Sequence, residues 1–249
     1  MNEPSSVALP SWRDRLLHAL LPALCLDCGQ PLPATGTTLG LCQACRGRLR
    51  PVTDRICAVC ARSLDGDLPE GWCCAACRHR PPAFDRLLAL WSYEAPLDAV
   101  VQALKFRRLD YLGRHLGEAL AARWEEELAG VDVVVPVPLH WARRLARGYN
   151  QAERIASALA RRLDRPLAAA LGRGRATPPQ TSLGRDERLV NLRKAFRVRR
   201  AVVIRKRHVL LVDDVATTGA TIEAAAAVLK RAGAAEVTAI VAGRTLRLS

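Results

Sequence analysis

Nine cysteines lie between Cys25 and Cys77, and eight of them form C-x-x-C pairs: Cys25/Cys28, Cys42/Cys45, Cys57/Cys60 and Cys74/Cys77. A shift of 32 residues carries the first two pairs onto the last two, together with Leu32 onto Leu64 and Cys45-Arg46 onto Cys77-Arg78. This is an internal duplication. It selects Cys74 as the partner of Cys77 and leaves Cys73 as the spare thiol. Two cysteines separated by two residues set both sulfurs on one side of a tight turn, and two such knuckles 13 residues apart close a tetrahedral four-sulfur site. Four protein ligands leave no open position, so each site is expected to hold a structural zinc ion. Sequential pairing of the knuckles follows from the duplication, with a cross-braced arrangement as the alternative. A disulfide framework would need an oxidising compartment. An iron–sulfur site is a further alternative, which the two-site repeat disfavours against zinc.

A second cluster of chemistry stands at Val209-Leu-Leu-Val-Asp213-Asp214-Val-Ala-Thr217-Thr218-Gly219-Ala-Thr221. It reads as a buried strand, two carboxylates at its C-terminal end, and a short Thr/Gly loop opening a helix. Open α/β sheets bind ligands outside the carboxyl ends of their strands. Loop N–H groups and a helix N-terminus attract an anion, and Thr217, Thr218 and Thr221 add hydroxyl donors. Gly219 lets the backbone close on a phosphate. Repulsion keeps Asp213 and Asp214 off a phosphate, but they suit the hydroxyls of a sugar. The pattern therefore asks for a sugar phosphate with free hydroxyls. The plain alternative is a capped helix after a buried strand.

These groups need a scaffold. Arg86–Tyr93 reads as a strand, Leu97–Phe106 and Leu112–Leu128 as helices, and Val131–Val135 as a strand buried on both faces. Asn150 is placed to cap a helix running to Leu163, and Leu167–Leu171 is a weaker strand. Val209–Val212 is a buried strand, Thr221–Ala232 a helix closed by Gly233, and Val237–Ala242 a last strand. Strands alternating with helices predict a mostly parallel α/β sheet over residues 84–249, behind a small zinc-ribbon domain over residues 25–80. Residues 1–24 read as an amphipathic helix capped by Ser11.

Of 249 residues, 50% are apolar and 25% charged, which excludes disorder, collagen and coiled coil for the whole chain. The net charge is +14, carried by 38 Lys and Arg of which only Lys105, Lys194, Lys206 and Lys230 are lysines. From His140 to His208 there are 19 Lys and Arg against 4 Asp and Glu, so an anionic partner is expected to meet this segment. No run approaches the ~20 apolar residues that span a bilayer. Pro22 and His18 interrupt the run Leu16–Leu26, and Leu24 precedes Cys25 where a lipoprotein signal wants a small residue. The expectation is a cytoplasmic protein without membrane insertion.

The Asp213–Thr221 segment resembles the phosphoribosyl-pyrophosphate (PRPP) motif of type I phosphoribosyltransferases. With the cysteine ribbons, the chain resembles the ComF family, which is linked to bacterial competence and DNA uptake. Leu104-Lys105-Phe106, Val135-Pro136-Val137-Pro138, Arg147-Gly148-Tyr149-Asn150-Gln151, and Gln180 with Glu187-Arg188 and Asn191 add to it. The resemblance implies that Asp213 and Asp214 form the catalytic pair holding the ribose hydroxyls. It implies that Ala216, Thr217, Thr218, Gly219, Ala220 and Thr221 wrap the 5′-phosphate. Pro136 and Val137 would form the pyrophosphate loop, with Lys105 and Arg147 as further contacts. The stretch Arg173–Leu192 resembles the loop that closes over such sites. Mg²⁺ would ride on the pyrophosphate and ribose oxygens. Two functions are implied. One is transfer of phosphoribosyl to an unknown acceptor. The other is a non-catalytic accessory of transformation that binds single-stranded DNA or DNA-uptake proteins, although aromatics of only 4% offer few stacking platforms.

Overall fold

The computed structural model describes residues 23–33, 39–53, 55–64, 66, 69, 71–174 and 195–246. The N-terminal helix with its Ser11 cap lies outside the described residues. So does the stretch resembling a closing loop, beyond Arg173 and Gly174, with Gln180, Glu187, Arg188 and Asn191.

Four strands form a parallel sheet: β1 (Arg86–Ser92), β2 (Val133–Pro136), β5 (His208–Ala216) and β6 (Glu236–Arg244), in the order β1-β6-β5-β2. β3 (Leu171–Arg173) and β4 (Phe196–Val198) make a separate antiparallel pair. The last strand in sequence thus sits inside the sheet, where both of its faces must be apolar. Alternate residues point to opposite faces. Leu88, Leu90, Val134, Leu210, Val212, Ile240 and Ala242 join one core. Leu87, Ala89, Val133, Val135, Val209, Leu211, Ala239 and Val241 join the other.

The first core is covered by α3 (Leu97–Phe106), α4 (Tyr111–Trp124) and α6 (Gln151–Leu163). The second is covered by α7 (Ala220–Arg231) and the β3–β4 pair. The duplicated cysteine modules are divided between them. Cys25, Leu32, Leu41 and Cys45 pack into the first core, and Val52, Cys57, Cys60 and Ala61 into the second. The chain crosses from one face to the other along the outer edge of β1. There the Val52 N–H donates to the Leu90 carbonyl at 3.0 Å and the Ser92 N–H to the Arg50 carbonyl at 2.8 Å. Two five-residue helices, α1 (Gln43–Gly47) and α2 (Ala75–His79), start inside the second knuckle of each module, capped by its first cysteine and carrying its second.

Several boundaries differ from the sequence expectation. β5 continues past Val212 to Ala216 because β6 pairs with it as far as Ala216↔Arg244. Leu167 makes only an isolated bridge to Val134, and the regular strand starts at Leu171. A short helix, α5 (Trp141–Arg147), was not anticipated; it has no buried residue and hence no apolar stripe to betray it. Asn150 does start α6, but its side chain does not cap the helix. Its Nδ2 donates instead to the Val137 carbonyl at 2.9 Å. Among the described residues no helix is long and apolar enough to cross a membrane.

α4 and α6 touch through glycine. A Cβ on Gly117 would stand 2.5 Å from the Ile155 carbonyl oxygen and 2.7 Å from the Ala158 Cβ. Alanine is the better helix former by about 1 kcal/mol, so propensity and packing oppose each other here. Backbone cannot retreat as a side chain can, and overpacking costs about 1–3 kcal/mol. Gly117→Ala is expected to lower the unfolding midpoint in urea; a rise would show that the helices separate freely.

Candidate functional site

The eight paired cysteines converge in two groups, Cys25/Cys28/Cys42/Cys45 and Cys57/Cys60/Cys74/Cys77. The pairing is sequential, and Cys73 lies outside both groups. Within each group all four sulfurs lie within 4.8 Å of one another. The Cys28 and Cys42 sulfurs are 3.7 Å apart and those of Cys60 and Cys74 3.9 Å. A tetrahedron with metal–sulfur bonds of about 2.3 Å has an edge of about 3.8 Å, so the donor sets fit zinc. Backbone N–H groups support the sulfurs in matching places: Cys42 N–H to Cys25 Sγ at 3.3 Å and Cys74 N–H to Cys57 Sγ at 3.2 Å. Burial works against the Cys25 and Cys57 thiolates, yet these donors together with those of Cys28 and Cys60 in the same knuckles outweigh it and bring the thiols down to about 6 and about 7. In the first module Arg48 pairs with Asp27 and reaches the Cys45 sulfur at 3.2 Å, a cation beside a ligand.

The second site forms where β5 and β2 end side by side. Pro136 is in register with Val212, and the Val137 N–H donates to the Val212 carbonyl at 2.8 Å. The turn after β2 therefore lies next to Asp213. The two acids continue the alternation of β5, so each faces a different layer. Asp214, 8% exposed, points to the side of α3, where its Oδ2 is 3.0 Å from Lys105 Nζ. Asp213 faces the side of the β3–β4 pair, where Arg173 is felt. Its Oδ1 accepts the Asp214 N–H at 2.9 Å. Burial, and then the adjacent Asp214 charge, push the Asp213 carboxyl up from 3.8 to about 7, against the pull of Lys105 and Arg173.

The remaining residues singled out in the sequence sit around this edge. Arg147, at the end of α5, lies over the Phe106 ring at 4.9 Å and donates to Gln151 Oε1 at 3.1 Å. Burial and nearby Arg143 lower its pKa, while Asp214 acts in the opposite sense. Gln151 is buried, and its Nε2 has no hydrogen-bond partner among the described residues. Thr217 and Thr218 are exposed, and Gly219 adopts φ +82°, a left-handed conformation that opens α7. The Ala220 N–H reaches back to Thr218 Oγ1 at 3.3 Å. Ala216 is buried, so it frames the loop from beneath.

The sequence reading missed Arg173 and Arg244, and gave Asn150 a different role. Arg173 was noted only as the start of a loop, yet it is a half-buried cation whose charge acts on Asp213. Asn150 holds the turn after β2, as described above. Arg244, at the end of β6, is 1% exposed and donates to the main chain of both the start of the Thr/Gly loop and the second cysteine module. A single arginine closing an apolar run carries no periodic signal.

Ribbons that fit zinc on both faces of a parallel sheet, with twin acids and a Thr/Gly loop at its carboxyl edge, define a double zinc ribbon joined to a phosphoribosyltransferase-type domain. Family models agree: residues 16–78 match the double zinc ribbon domain and residues 150–245 the phosphoribosyl transferase domain. The chain is 36% identical over 234 residues to DNA utilization protein YhgH of Escherichia coli (strain K12), covering 91% of this chain and 99% of that protein. It is 30% identical over 217 residues to Competence protein F of Haemophilus influenzae (strain ATCC 51907 / DSM 11121 / KW20 / Rd), covering 79% and 93%. The chain belongs to the ComF family. It is also 25% identical over 177 residues to an amidophosphoribosyltransferase of the same H. influenzae strain, covering 70% of this chain and 32% of that one.

The raised Asp213 pKa has a consequence for stability. Between 3.8 and about 7 the folded protein holds a proton that the unfolded chain has lost, so stability falls as the pH rises through this window. Asp213→Asn removes the charge that causes the loss. The ligand-free variant is expected to melt about 2–4 °C above the parent at pH 8, with the gain shrinking towards pH 4. A difference that stays flat with pH would contradict it.

Proposed function

We propose that the carboxyl edge of the sheet binds PRPP with Mg²⁺, and that the protein is a phosphoribosyltransferase-type member of the DNA-uptake machinery acting in the cytoplasm. The observation carrying this reading is the pair Asp213/Asp214 set between Lys105, Arg147 and Arg173. Twin acids accept hydroxyls, cations receive a leaving pyrophosphate, and the loop Thr217–Thr221 offers N–H and hydroxyl donors to a terminal phosphate. Mg²⁺ would neutralise the pyrophosphate while Asp213 and Asp214 hold the ribose. Charge growing on the sugar ring as pyrophosphate departs falls beside two carboxylates. The relatives' names, DNA utilization protein and Competence protein F, support the link to DNA. PRPP with Mg²⁺ at about 100 times its Kd is expected to add about 2.7 kcal/mol of stability. Asp213→Asn with Asp214→Asn is expected to abolish that gain. No change in melting of the parent protein at millimolar PRPP would refute the pocket.

A second reading, contact with single-stranded DNA, is favoured by a different surface. Arg197, Arg199, Arg200, Arg205, Lys206 and Arg207 are all exposed, and none is ion-paired among the described residues. Some arginines elsewhere do pair, as Arg154 with Asp110 at 3.1 Å and Arg161 with Glu118 at 3.4 Å. The unpaired group surrounds Val202, 83% exposed, and ends where β5 begins, at the far end of the sheet from Asp213. Oligonucleotide binding should weaken with salt by a slope of about −0.7 per phosphate neutralised. Replacing Arg199, Arg205 and Arg207 by Ala is expected to flatten that slope by about 2. An unaltered slope would remove this surface from the reading.

A further inference from the structure

Arg244 is a full positive charge inside the protein, and among the described residues no carboxylate pairs with it. Burying such a group is expensive unless every donor is met. Its hydrogen bonds run to main-chain carbonyls, and the sulfurs of Cys60 and Cys77 lie close enough to act on its charge. Nε donates to the Cys60 carbonyl at 3.1 Å, and one terminal nitrogen donates to the Ala216 carbonyl at 2.8 Å and to the Thr217 carbonyl. One side chain therefore bridges two parts of the chain that are 156 residues or more apart in sequence (Cys60 to Ala216).

The two ends of the bridge are not ordinary positions. Cys60 gives its sulfur to the second four-cysteine group, so its carbonyl is placed by the same turn that the metal would hold. Ala216 and Thr217 open the loop that wraps the phosphate in the proposed pocket. A peptide unit is planar and trans, so a carbonyl drawn inward sends the N–H of the next residue outward. Holding the Ala216 and Thr217 carbonyls thus aims the N–H groups of Thr217 and Thr218 away from the core, towards the open side of the loop. The loop is further tied by the Thr245 N–H to the Ala216 carbonyl at 3.1 Å, and the ribbon by the Ser63 N–H to the Leu246 carbonyl at 3.3 Å. The first module has no such bridge among the described residues; it packs into the core on the opposite face.

We infer that Arg244 is a positioning residue for the phosphate loop, and that through it the second zinc ribbon, rather than the first, is part of the sugar-phosphate site. The inference rests on the PRPP reading for its ligand, but the loop geometry is testable without one. The experiment follows amide hydrogen exchange of residues 217–221 in the zinc-loaded full chain, with PRPP affinity by calorimetry beside it. The variants are Arg244→Met, Arg244→Lys, Cys74→Ser in the second ribbon and Cys42→Ser in the first. Arg244→Met and Cys74→Ser are expected to speed loop exchange and weaken PRPP about tenfold each. Exchange of the β5 core amides 209–212 stays slow, which separates a loosened loop from an unfolded sheet. Combining the two changes adds little to either, since both cut one bridge. Arg244→Lys recovers part of the loss by restoring a donor.

Loop exchange after Cys42→Ser as fast as after Cys74→Ser would overturn the inference. So would an Arg244→Met protein with a slow-exchanging loop. If Arg244→Met fails to fold, Arg244→Lys and the two cysteine variants decide. A parent protein that ignores PRPP would refute the pocket reading while the exchange data still judge the bridge.

Discussion

Two carboxylates cannot stand side by side at the end of an apolar strand unless cations come to them. Asp213 and Asp214 impose that requirement, and the architecture around β5 answers it. Because successive side chains of a strand diverge, each acid needs its own source of charge in its own layer. Asp214 finds Lys105 from a helix on one face, while Asp213 feels Arg173 from the hairpin on the other. Even so the compensation is incomplete, since Asp213 keeps its proton to about 7. An edge held in this unfinished balance is suited to a ligand that supplies hydroxyls to the acids and anionic oxygens to the cations.

The cysteine modules matter to this edge because of where duplication placed them. Each copy keeps the same ligand geometry, with sulfur separations of 3.7 and 3.9 Å at equivalent positions. Their surroundings are different. Cys28 is exposed, whereas Cys60 is buried against the sheet and joined to Arg244. One sequence unit, used twice, thus serves once mainly as cover for α3 and α4 and once as a partner of Arg244 at the end of β6. The difference lies in the faces against which the copies rest.

How much of this was legible follows from what each residue must satisfy. The ligand sets of both ribbons were readable because metal coordination fixes spacing, and spacing is what a sequence displays. The buried strands were readable because a strand covered on both faces has to be apolar throughout. The order β1-β6-β5-β2 was not, since a valine carries no mark of its neighbour. α5 was invisible because it buries nothing. Asn150 was read as a cap, the role its position favours, whereas the turn after β2 had a carbonyl that needed a donor more. The loop Thr217–Thr221 was plain from residue types alone; the buried Arg244 that bonds its carbonyls was not, because a main-chain carbonyl has no sequence identity.

The crossing of the chain along β1 has an effect beyond joining the two ribbons. An open sheet ordinarily presents a row of free amides and carbonyls at each border, where a stray strand can add. Here residues 50–52 occupy the border at β1, and at β2 the Pro166 carbonyl and the Ala168 N–H bond to Val134 at 2.9 Å each. Both margins are therefore already spoken for. Polymer growth by strand addition is discouraged at either side of the four-stranded sheet.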